Sequence, residues 1–366
     1  MNKLYKIPFY TIGYKLYKCL GLPRLLPISL TLSVTERCNS MCKTCNLWKT
    51  PSEKELSVEE WKKIFEKLGD STAWLTFSGG DQFLRDDFYE IVNHAIELTR
   101  PCLINIPLSN IDVNGTVKQV TKILEHSNTP LVINISLDGV EEAHNFLRGR
   151  KDSFQATIEL FKQLKNLKKP FPQLSVCFNT VVSSYNIDSL DEVYKLVSDL
   201  QPDYWMAEPF QCRAEFKNLG ENPGLDYKKF FLKLKSFNLG EKSRFNGVLK
   251  VKHIIRQAYY HFVEKTFPEN KSMMPCYASI SSVRISPQGN VWQCGTKGDI
   301  LGSLRESDYD LKKILFSKKA GLVRKDIKEK KCSCIQCNAF YTNLLCNPRY
   351  FIKYFFAKLK RLIRFQ

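Results

Sequence analysis

The chain has 366 residues, of which 43% are hydrophobic and 25% charged, values close to those of average globular proteins. This composition excludes a collagen-like chain and an acidic disordered chain. The sequence contains no run of about eighteen apolar residues, so no transmembrane helix is predicted. The net charge is +18, but residues 1–24 and 349–366 together hold eleven Lys and Arg and no acid. The rest of the chain is only mildly basic, so we expect no nucleic-acid partner and consider an anionic surface near the two ends.

Six β-rich runs alternate with amphipathic helical patterns from residue 28 to about 210. The predicted strands are Ile28–Thr35, Trp74–Ser78, Cys102–Leu108, Leu131–Asp138, Leu174–Val182 and Asp203–Phe210. The helical patterns fall at 57–69, 86–99, 116–127, 153–168 and 187–200. Such alternation predicts right-handed βαβ units and a parallel sheet. Six units are too few for a closed eight-fold barrel, so we predict an α/β fold with a partial (β/α)6 TIM-like barrel and its chemistry at the C-terminal strand ends.

The remaining segments differ in character from the barrel. Helical patterns at 226–237 and 250–265 suggest a connector, and from Cys276 onward a hairpin and a cysteine-rich loop indicate a small C-terminal α+β region. The predicted division is an N-terminal basic amphipathic segment, the barrel, the helical connector, the C-terminal region and a basic tail helix, at 1–27, 28–215, 216–275, 276–348 and 349–366.

The thirteen cysteines point to a metal-binding or iron–sulfur protein. Their odd number argues against a complete set of internal disulfides. The N-terminus lacks an apolar run followed by a small-residue cleavage site, so we expect a cytoplasmic protein, in which clustered thiols serve as ligands. Four scattered cysteines are interpreted as small apolar residues: Cys19, Cys102, Cys177 and Cys212.

One cluster of cysteines directly follows the first predicted strand. Cys38, Cys42 and Cys45 have the spacing Cys-x3-Cys-x2-Cys. One short loop can present these three thiolates to three corners of a [4Fe–4S] cluster and leave the fourth iron open. A structural zinc site is the alternative, but it needs four ligands, and no fourth Cys or His lies nearby in the sequence.

This triplet resembles the signature of the radical SAM superfamily, which carries it on the loop after the first barrel strand. The segments Thr76–Asp81 and Ser136–Gly139 are similar to that family's "GGE" and "SLDG" segments, with Asp81 in place of the commoner Glu. Thr44 also stands where many relatives have an aromatic residue. The resemblance implies contacts with S-adenosylmethionine (SAM) from Gly79, Gly80, Asp81, Ser136, Asp138, Arg148 and Asn179. It also implies that Glu208, on the sixth predicted strand, faces the barrel mouth.

The resemblance also implies a reaction. A reduced [4Fe–4S] cluster would cleave SAM to a 5′-deoxyadenosyl radical, which would abstract hydrogen from a peptide, a carbohydrate or a lipid-linked substrate. An electron donor such as flavodoxin or ferredoxin is then an expected partner. The alternative is a non-catalytic iron–sulfur or zinc-binding scaffold, which would have no need for the whole set of SAM-binding residues.

A second group of cysteines occupies the last quarter of the chain. Cys276 and Cys294, with Gly289 between them, resemble the opening of a SPASM or shorter "twitch" extension, a module that holds auxiliary clusters. The closing part is short, so we expect one auxiliary [4Fe–4S] cluster, with zinc as the alternative. The expected ligands are Cys276, Cys294, Cys334 and Cys337, with Cys332 and Cys346 as substitutes.

The end of the chain has an amphipathic pattern. On a helical wheel, residues 350–365 place aromatic and aliphatic side chains on one arc and Lys and Arg opposite. That pattern is typical of a helix lying on an anionic membrane surface. A tail helix docked on its own domain is the other interpretation.

Overall fold

A computed structural model describes residues 3–49, 54–108, 112–221, 224–237, 247–266, 274–329, 334, 337–350 and 352–354. Within these ranges the strands are β1 Ser29–Thr35, β2 Trp74–Gly79, β3 Leu103–Leu108, β4 Leu131–Ser136, β5 Leu174–Val182, β6 Trp205–Pro209, β7 Ser282–Ile285, β8 Asn290–Trp292 and β9 Ile300–Ser303. The six strands predicted for the barrel are all present, with ends that differ by at most two residues from the sequence-based bounds.

Strands β1–β6 form a parallel sheet in chain order, each paired with the next. In the part of the chain that the structure describes, β6 does not pair with β1. The prediction of an open, partial barrel is therefore confirmed.

The free edge of β1 is used by the C-terminal region. Strand β7 pairs with β1 in parallel, with Ser282 opposite Ser29, and β8 and β9 continue antiparallel beyond it. An open barrel leaves β1 with unpaired backbone groups on one side, and β7 satisfies them. Within the described residues, the strands of the C-terminal region thus extend the barrel sheet.

The helices are α1 Ile7–Leu20, α2 Val58–Leu68, α3 Phe88–Thr99, α4 Val113–His126, α5 Glu141–Arg148, α6 Ser153–Leu167, α7 Leu190–Leu200, α8 Tyr227–Ser236, α9 Gly247–Thr266, α10 Leu311–Leu315, α11 Lys318–Lys328 and α12 Cys337–Leu345. The sequence patterns gave no separate helix prediction for α1, α5, α11 and α12, whereas a short helical pattern near 308–316 predicts α10. The predicted tail helix at 349–366 lies largely outside the described residues. No helix in the described ranges combines the length and the apolar character needed to cross a membrane.

Helix α2 shows how local sequence fixes an element. Ser57 Oγ accepts the N–H of Glu60 at 3.2 Å, and the Glu60 carboxylate accepts the N–H of Ser57 at 2.9 Å. This reciprocal capping box satisfies two backbone donors that would otherwise lack partners at the helix start. Trp61, Phe65 and Leu68 then recur at helical spacing and are buried in the main core.

Candidate active site

The cysteine triplet lines a cavity inside the partial barrel. Cys38, Cys42 and Cys45 all contribute to the wall of this cavity, which has a volume of about 240 Å³. Most of the rest of the wall comes from residues on β1–β6 and on the segment that follows β6, and Arg148 of α5, Arg256 of α9, Arg284 of β7 and Tyr341 of α12 also contribute. The loop after β1 therefore brings three thiols to one space, as the sequence predicts.

Backbone hydrogen bonds fix this loop from two sides. The N–H groups of Met41 and Lys43 donate to the carbonyls of Arg148 and Leu147, each at 2.9 Å. On the other side, Asn218 Nδ2 donates to the carbonyl of Thr44 at 2.9 Å. The positions of the thiols thus depend on the end of α5 and on the segment after β6.

Burial keeps the three thiols protonated in the absence of a ligand. It raises the pKa of Cys38 to about 11 and that of Cys45 to about 12, and it also raises the pKa of Cys42. The positive charge of the neighbouring Arg148 partly offsets this effect by lowering the pKa of all three thiols. Metal binding requires the thiolate form, so loading this site would release protons.

No three His, Cys, Asp or Glu side chains in the described ranges converge tightly enough to hold a single metal ion.

Gly79 and Gly80 join the end of β2 to the base of the cysteine loop. A Cβ on Gly80 would lie 2.1 Å from the carbonyl oxygen of Arg37, and one on Gly79 would lie 2.2 Å from that of Thr35. Gly79 also has a φ of +132°, which side chains disfavour. Both glycines line the cavity. The close approach that requires glycine at these two positions is to the backbone at the base of the cysteine loop.

A buried ion pair holds Arg148 against the cavity. Arg148 Nη1 donates to Asp138 Oδ2 at 2.9 Å, while Asp138 Oδ1 accepts the N–H of Val181 at 2.8 Å. His144 Nδ1 accepts the N–H of Asp138 at 3.1 Å, and burial lowers the pKa of His144 to about 3, so this ring is neutral. Arg148 lines the cavity, whereas Asp138 is engaged with protein groups through both oxygens. Asp138 therefore positions Arg148.

Several polar atoms around the site lack a hydrogen-bond partner within the described structure. They include Arg148 Nε, Asn179 Oδ1, Ser40 Oγ and Asp81 Oδ2. Asn179 on β5 lies opposite Ser136 on β4, and both line the cavity. Asp81 is fully buried, and burial raises the pKa of its carboxyl to about 7. Buried polar atoms without partners are costly, so this arrangement suits a polar ligand.

A charged network, only partly anticipated from the sequence, spans the open side of the barrel. Arg213 contacts Glu208 at 3.4 Å and Glu215 at 3.2 Å, and Arg284 on β7 forms an ion pair with Glu215. All four residues line the cavity. Sequence reasoning placed Glu208 at the barrel mouth but did not identify the two arginines. The sequence feature that could have indicated this network is the pair Arg213 and Glu215, an arginine and a glutamate two residues apart shortly after β6.

The second group of cysteines is brought together at a different place. Burial raises the pKa of Cys294 to about 12, and the nearby thiols of Cys334 and Cys276 add to this shift. Cys276 and Cys334 therefore lie within electrostatic range of Cys294. Cys346 is buried in a small apolar cluster that includes α1. Cys332 and the side chain of Cys337 lie outside the described residues.

Comparison with known proteins addresses the identity of the barrel. Residues 32–197 match the family described as the Radical SAM superfamily. This part of the chain is a radical SAM domain. Proteins of this superfamily use a [4Fe–4S] cluster and SAM, so the predicted cofactors are those of the family.

Two curated relatives share this region. The chain is 30% identical over 175 residues to the sporulation killing factor maturation protein SkfB of Bacillus subtilis (strain 168), covering 47% of this chain and 40% of that protein. It is 26% identical over 183 residues to the PqqA peptide cyclase of Bradyrhizobium diazoefficiens, covering 49% and 45%. The matched region thus spans less than half the length of either relative.

Solved structures share the fold over most of the chain. Native anSMEcpe with bound AdoMet superposes with a TM-score of 0.60 at 17% identity, covering 92% of this chain and 99% of that one. Streptococcus suis SuiB bound to S-adenosylmethionine superposes with a TM-score of 0.59 at 15% identity, covering 86% and 71%. At these identities the likeness concerns the fold, and it extends beyond the radical SAM domain.

The residues of this radical SAM domain fit the cofactors of the family. Three thiols on one wall suit iron, which favours thiolate ligands. The Arg148 guanidinium and Asn179 on the same cavity suit the charged and polar groups of SAM.

Proposed function

We propose that this protein is a radical SAM enzyme that modifies a peptide. The observation that carries the proposal is the cavity in which Cys38, Cys42 and Cys45 meet Arg148 and Asn179. A scaffold that only kept the fold would have no need for buried polar atoms without partners around three clustered thiols.

The relatives support a peptide as the substrate. One is named a PqqA peptide cyclase, and one structural neighbour of 16% identity is described as SuiB bound to the precursor peptide SuiA. The name and the description apply to the relative and to the structural neighbour, and not directly to this chain. They favour a peptide over the carbohydrate and lipid-linked substrates that the sequence also allows.

Each group at the site has a role in this proposal. The three cysteines would hold the [4Fe–4S] cluster, which together with SAM supplies a 5′-deoxyadenosyl radical when it is reduced by a donor such as flavodoxin or ferredoxin. Arg148, oriented by Asp138, would bind the carboxylate of SAM, and Ser136 and Asn179 would hydrogen-bond its polar groups.

Further residues shape the cavity. Gly79 and Gly80 keep the cavity wall close to the cysteine loop, and buried Asp81 would accept a hydrogen bond from the amino group of SAM. The ion pairs of Arg213 and Arg284 with Glu215 cover the open side of the barrel and restrict water there.

We further propose one auxiliary [4Fe–4S] cluster on Cys276, Cys294, Cys334 and Cys337. The proximity of the first three supports it. Iron and acid-labile sulfide would be measured on protein lacking the first triplet, and zinc without sulfide would contradict the proposal. We also propose that the barrel, the connector, the C-terminal region and the tail helix begin at residues 28, 216, 276 and 349. The basic tail is proposed to contact a membrane.

The function is tested by anaerobic reconstitution with iron and sulfide. Dithionite-reduced protein is expected to convert SAM to 5′-deoxyadenosine, measured by liquid chromatography and mass spectrometry. Cys42→Ala is expected to abolish the product, whereas Cys19→Ala, an exposed cysteine on α1, is expected to leave it unchanged. Reconstituted wild-type protein that forms no product with several reductants would favour the non-catalytic scaffold.

A further inference from the structure

The N-terminal helix exposes an apolar face. Tyr5, Phe9, Ile12, Leu16 and Leu20 are each between 44% and 74% exposed, which is unusual for large apolar side chains on adjacent turns. At about 100° per residue, the four residues on α1 fall within an arc of roughly 80° on the helical wheel, and Tyr5 precedes them in the 3-10 turn Lys3–Lys6. We call these five residues the exposed stripe.

The opposite face of α1 is fixed to the protein. Tyr14 is buried and donates its hydroxyl to the carbonyl of Leu26 at 2.7 Å. Lys18 Nζ donates to the carbonyl of Cys276 at 2.8 Å. Because these contacts define which face is inward, the exposed stripe is presented outward in a fixed orientation.

Positive charge surrounds the exposed stripe. Lys15 and Lys6 flank it on opposite sides of the helical wheel, and residues 1–35 contain no Asp or Glu. Lys6 Nζ already forms an ion pair with Asp70 at 2.9 Å, so Lys15 is the flanking lysine without an ion pair in the described structure. The flanking lysines have aliphatic stems that can lie along an apolar layer while the ammonium groups reach outward.

Helix α11 enlarges this basic surface. The ring of Tyr17 on α1 packs against Phe316 with centroids 5.6 Å apart, and the guanidinium of Arg324 lies 5.3 Å from the same ring. From this neighbouring position α11 exposes Leu322 and four lysines, Lys318, Lys319, Lys325 and Lys328. Asp326 is exposed on the same helix, and Lys325 lies 3.9 Å from Glu329, so the surface of α11 is basic only on balance. Apolar and basic groups therefore occur together on two adjacent helices.

We propose that α1 docks on an anionic membrane surface, with the exposed stripe at the headgroup boundary and with Lys15 and the exposed lysines of α11 on lipid phosphates. An anionic bilayer matches both features at once, since apolar burial and attraction to negative lipid act together. A second copy of the chain would instead bring two basic surfaces and two net charges of +18 together. The proposal does not depend on the SAM chemistry.

Co-sedimentation of the reconstituted full chain with vesicles tests this docking. Binding is expected to phosphatidylcholine vesicles containing phosphatidylglycerol, to weaken with salt, and to be absent with phosphatidylcholine alone. The double variant Phe9→Asp, Leu16→Asp is expected to bind about tenfold or more weakly. Leu232→Asp changes a comparably exposed leucine on α8, 58% exposed, and is expected to bind like wild type. Thermal unfolding is measured for each variant to show that it is still folded. A milder double variant, Phe9→Ser, Leu16→Ser, is tested in the same way, so that a loss of binding is distinguished from a loss of folding.

Three results would overturn the proposal. One is full-length protein that stays in the supernatant with anionic vesicles. Another is a double variant that binds like wild type while a chain ending at Pro348 no longer binds, which would assign the contact to the C-terminal tail. The third is a wild-type dimer that the double variant converts to monomer, seen by light scattering, without any vesicle binding.

Discussion

The two groups of cysteines are built in different ways. Cys38, Cys42 and Cys45 lie on one short loop, whose backbone is hydrogen-bonded to the end of α5 and to the segment after β6. Cys276 and Cys294 flank the β7–β8 hairpin, and Cys334 comes from a separate segment after α11. The first site therefore depends on local spacing and on a few fixed contacts, whereas the second depends on the whole C-terminal fold.

We expect the largest effects, on SAM cleavage and on iron content, from variants that remove one of the two groups of cysteines at a time. A Cys38→Ala, Cys42→Ala, Cys45→Ala variant is expected to lose all SAM cleavage and to keep the auxiliary iron, because the two groups of ligands are separate. Cys276→Ala, Cys294→Ala is expected to lose the auxiliary iron and to keep 5′-deoxyadenosine formation. Iron, sulfide and product are measured on both proteins. SAM cleavage by the first variant would show that the active site has been assigned to the wrong cysteines.

The next effect tests how the first site is held together. Arg148→Gln leaves Asp138 as a buried charge without its ionic partner, so we expect a loss of about 3 kcal/mol or more in the free energy of unfolding. SAM binding by the reconstituted protein is also expected to fall. Urea unfolding and isothermal titration check the two effects, with Arg150→Gln as the control, since the ion pair of Arg150 with Asp152 is far more exposed. Equal stability losses in the two variants would contradict the role given to the buried pair.

A third test concerns the backbone contact between β2 and the cysteine loop. Gly80→Ala would place a Cβ 2.1 Å from the carbonyl oxygen of Arg37, so we expect a loss of about 1–3 kcal/mol in stability and reduced iron loading. Gly321→Ala is the matched control, because no atom lies within 4 Å of its added Cβ and it is in the interior of α11. That variant is expected to gain about 0.5–1 kcal/mol. A neutral Gly80→Ala would argue against the tight packing.

The smallest effect probes a link between the barrel and the C-terminal region. Arg305 donates to Glu60 of α2 at 2.6 Å, and this bond lowers the pKa of Glu60 to about 2 from its usual 4.5. A lowered carboxyl pKa stabilises the fold above pH 4.5, and this contribution is lost as the pH falls toward 2. The pair is partly exposed to solvent, so Arg305→Gln is expected to cost only about 1 kcal/mol at neutral pH.

Urea unfolding of wild type and Arg305→Gln across the acidic range checks this link. The difference in stability between the two proteins is expected to shrink as the pH falls. A difference that is independent of pH would show that Arg305 acts through packing and not through the charge of Glu60.

Much of the barrel and of the first site follows from local sequence. Alternating strand and helix patterns predicted β1–β6, and the helical pattern at 57–69 predicted α2. The cysteine spacing and the segments around Gly79 and Arg148 indicated which residues would share one cavity. These features depend on neighbours along the chain or on the rule that parallel strands end at the same edge.

Other features depend on contacts between residues far apart in the chain. Glu215 and Arg284 are 69 residues apart and meet only across the open side of the barrel. The sequence also suggested Cys346 as a spare ligand, but the structure places it in an apolar cluster with Tyr14. Hydrophobic periodicity cannot separate a thiol in a core from a thiol beside a metal, because both are buried.

By itself, the sequence determined the order of the elements, the cysteine loop and the basic character of the two ends, because spacing and composition are local properties of the chain. The tertiary structure alone decided that β7 would extend the sheet at β1 and which face of α1 would remain exposed. The free edge of an open sheet can accept any compatible strand, and an apolar helix can bury either face. Only the packing of distant residues selects one arrangement.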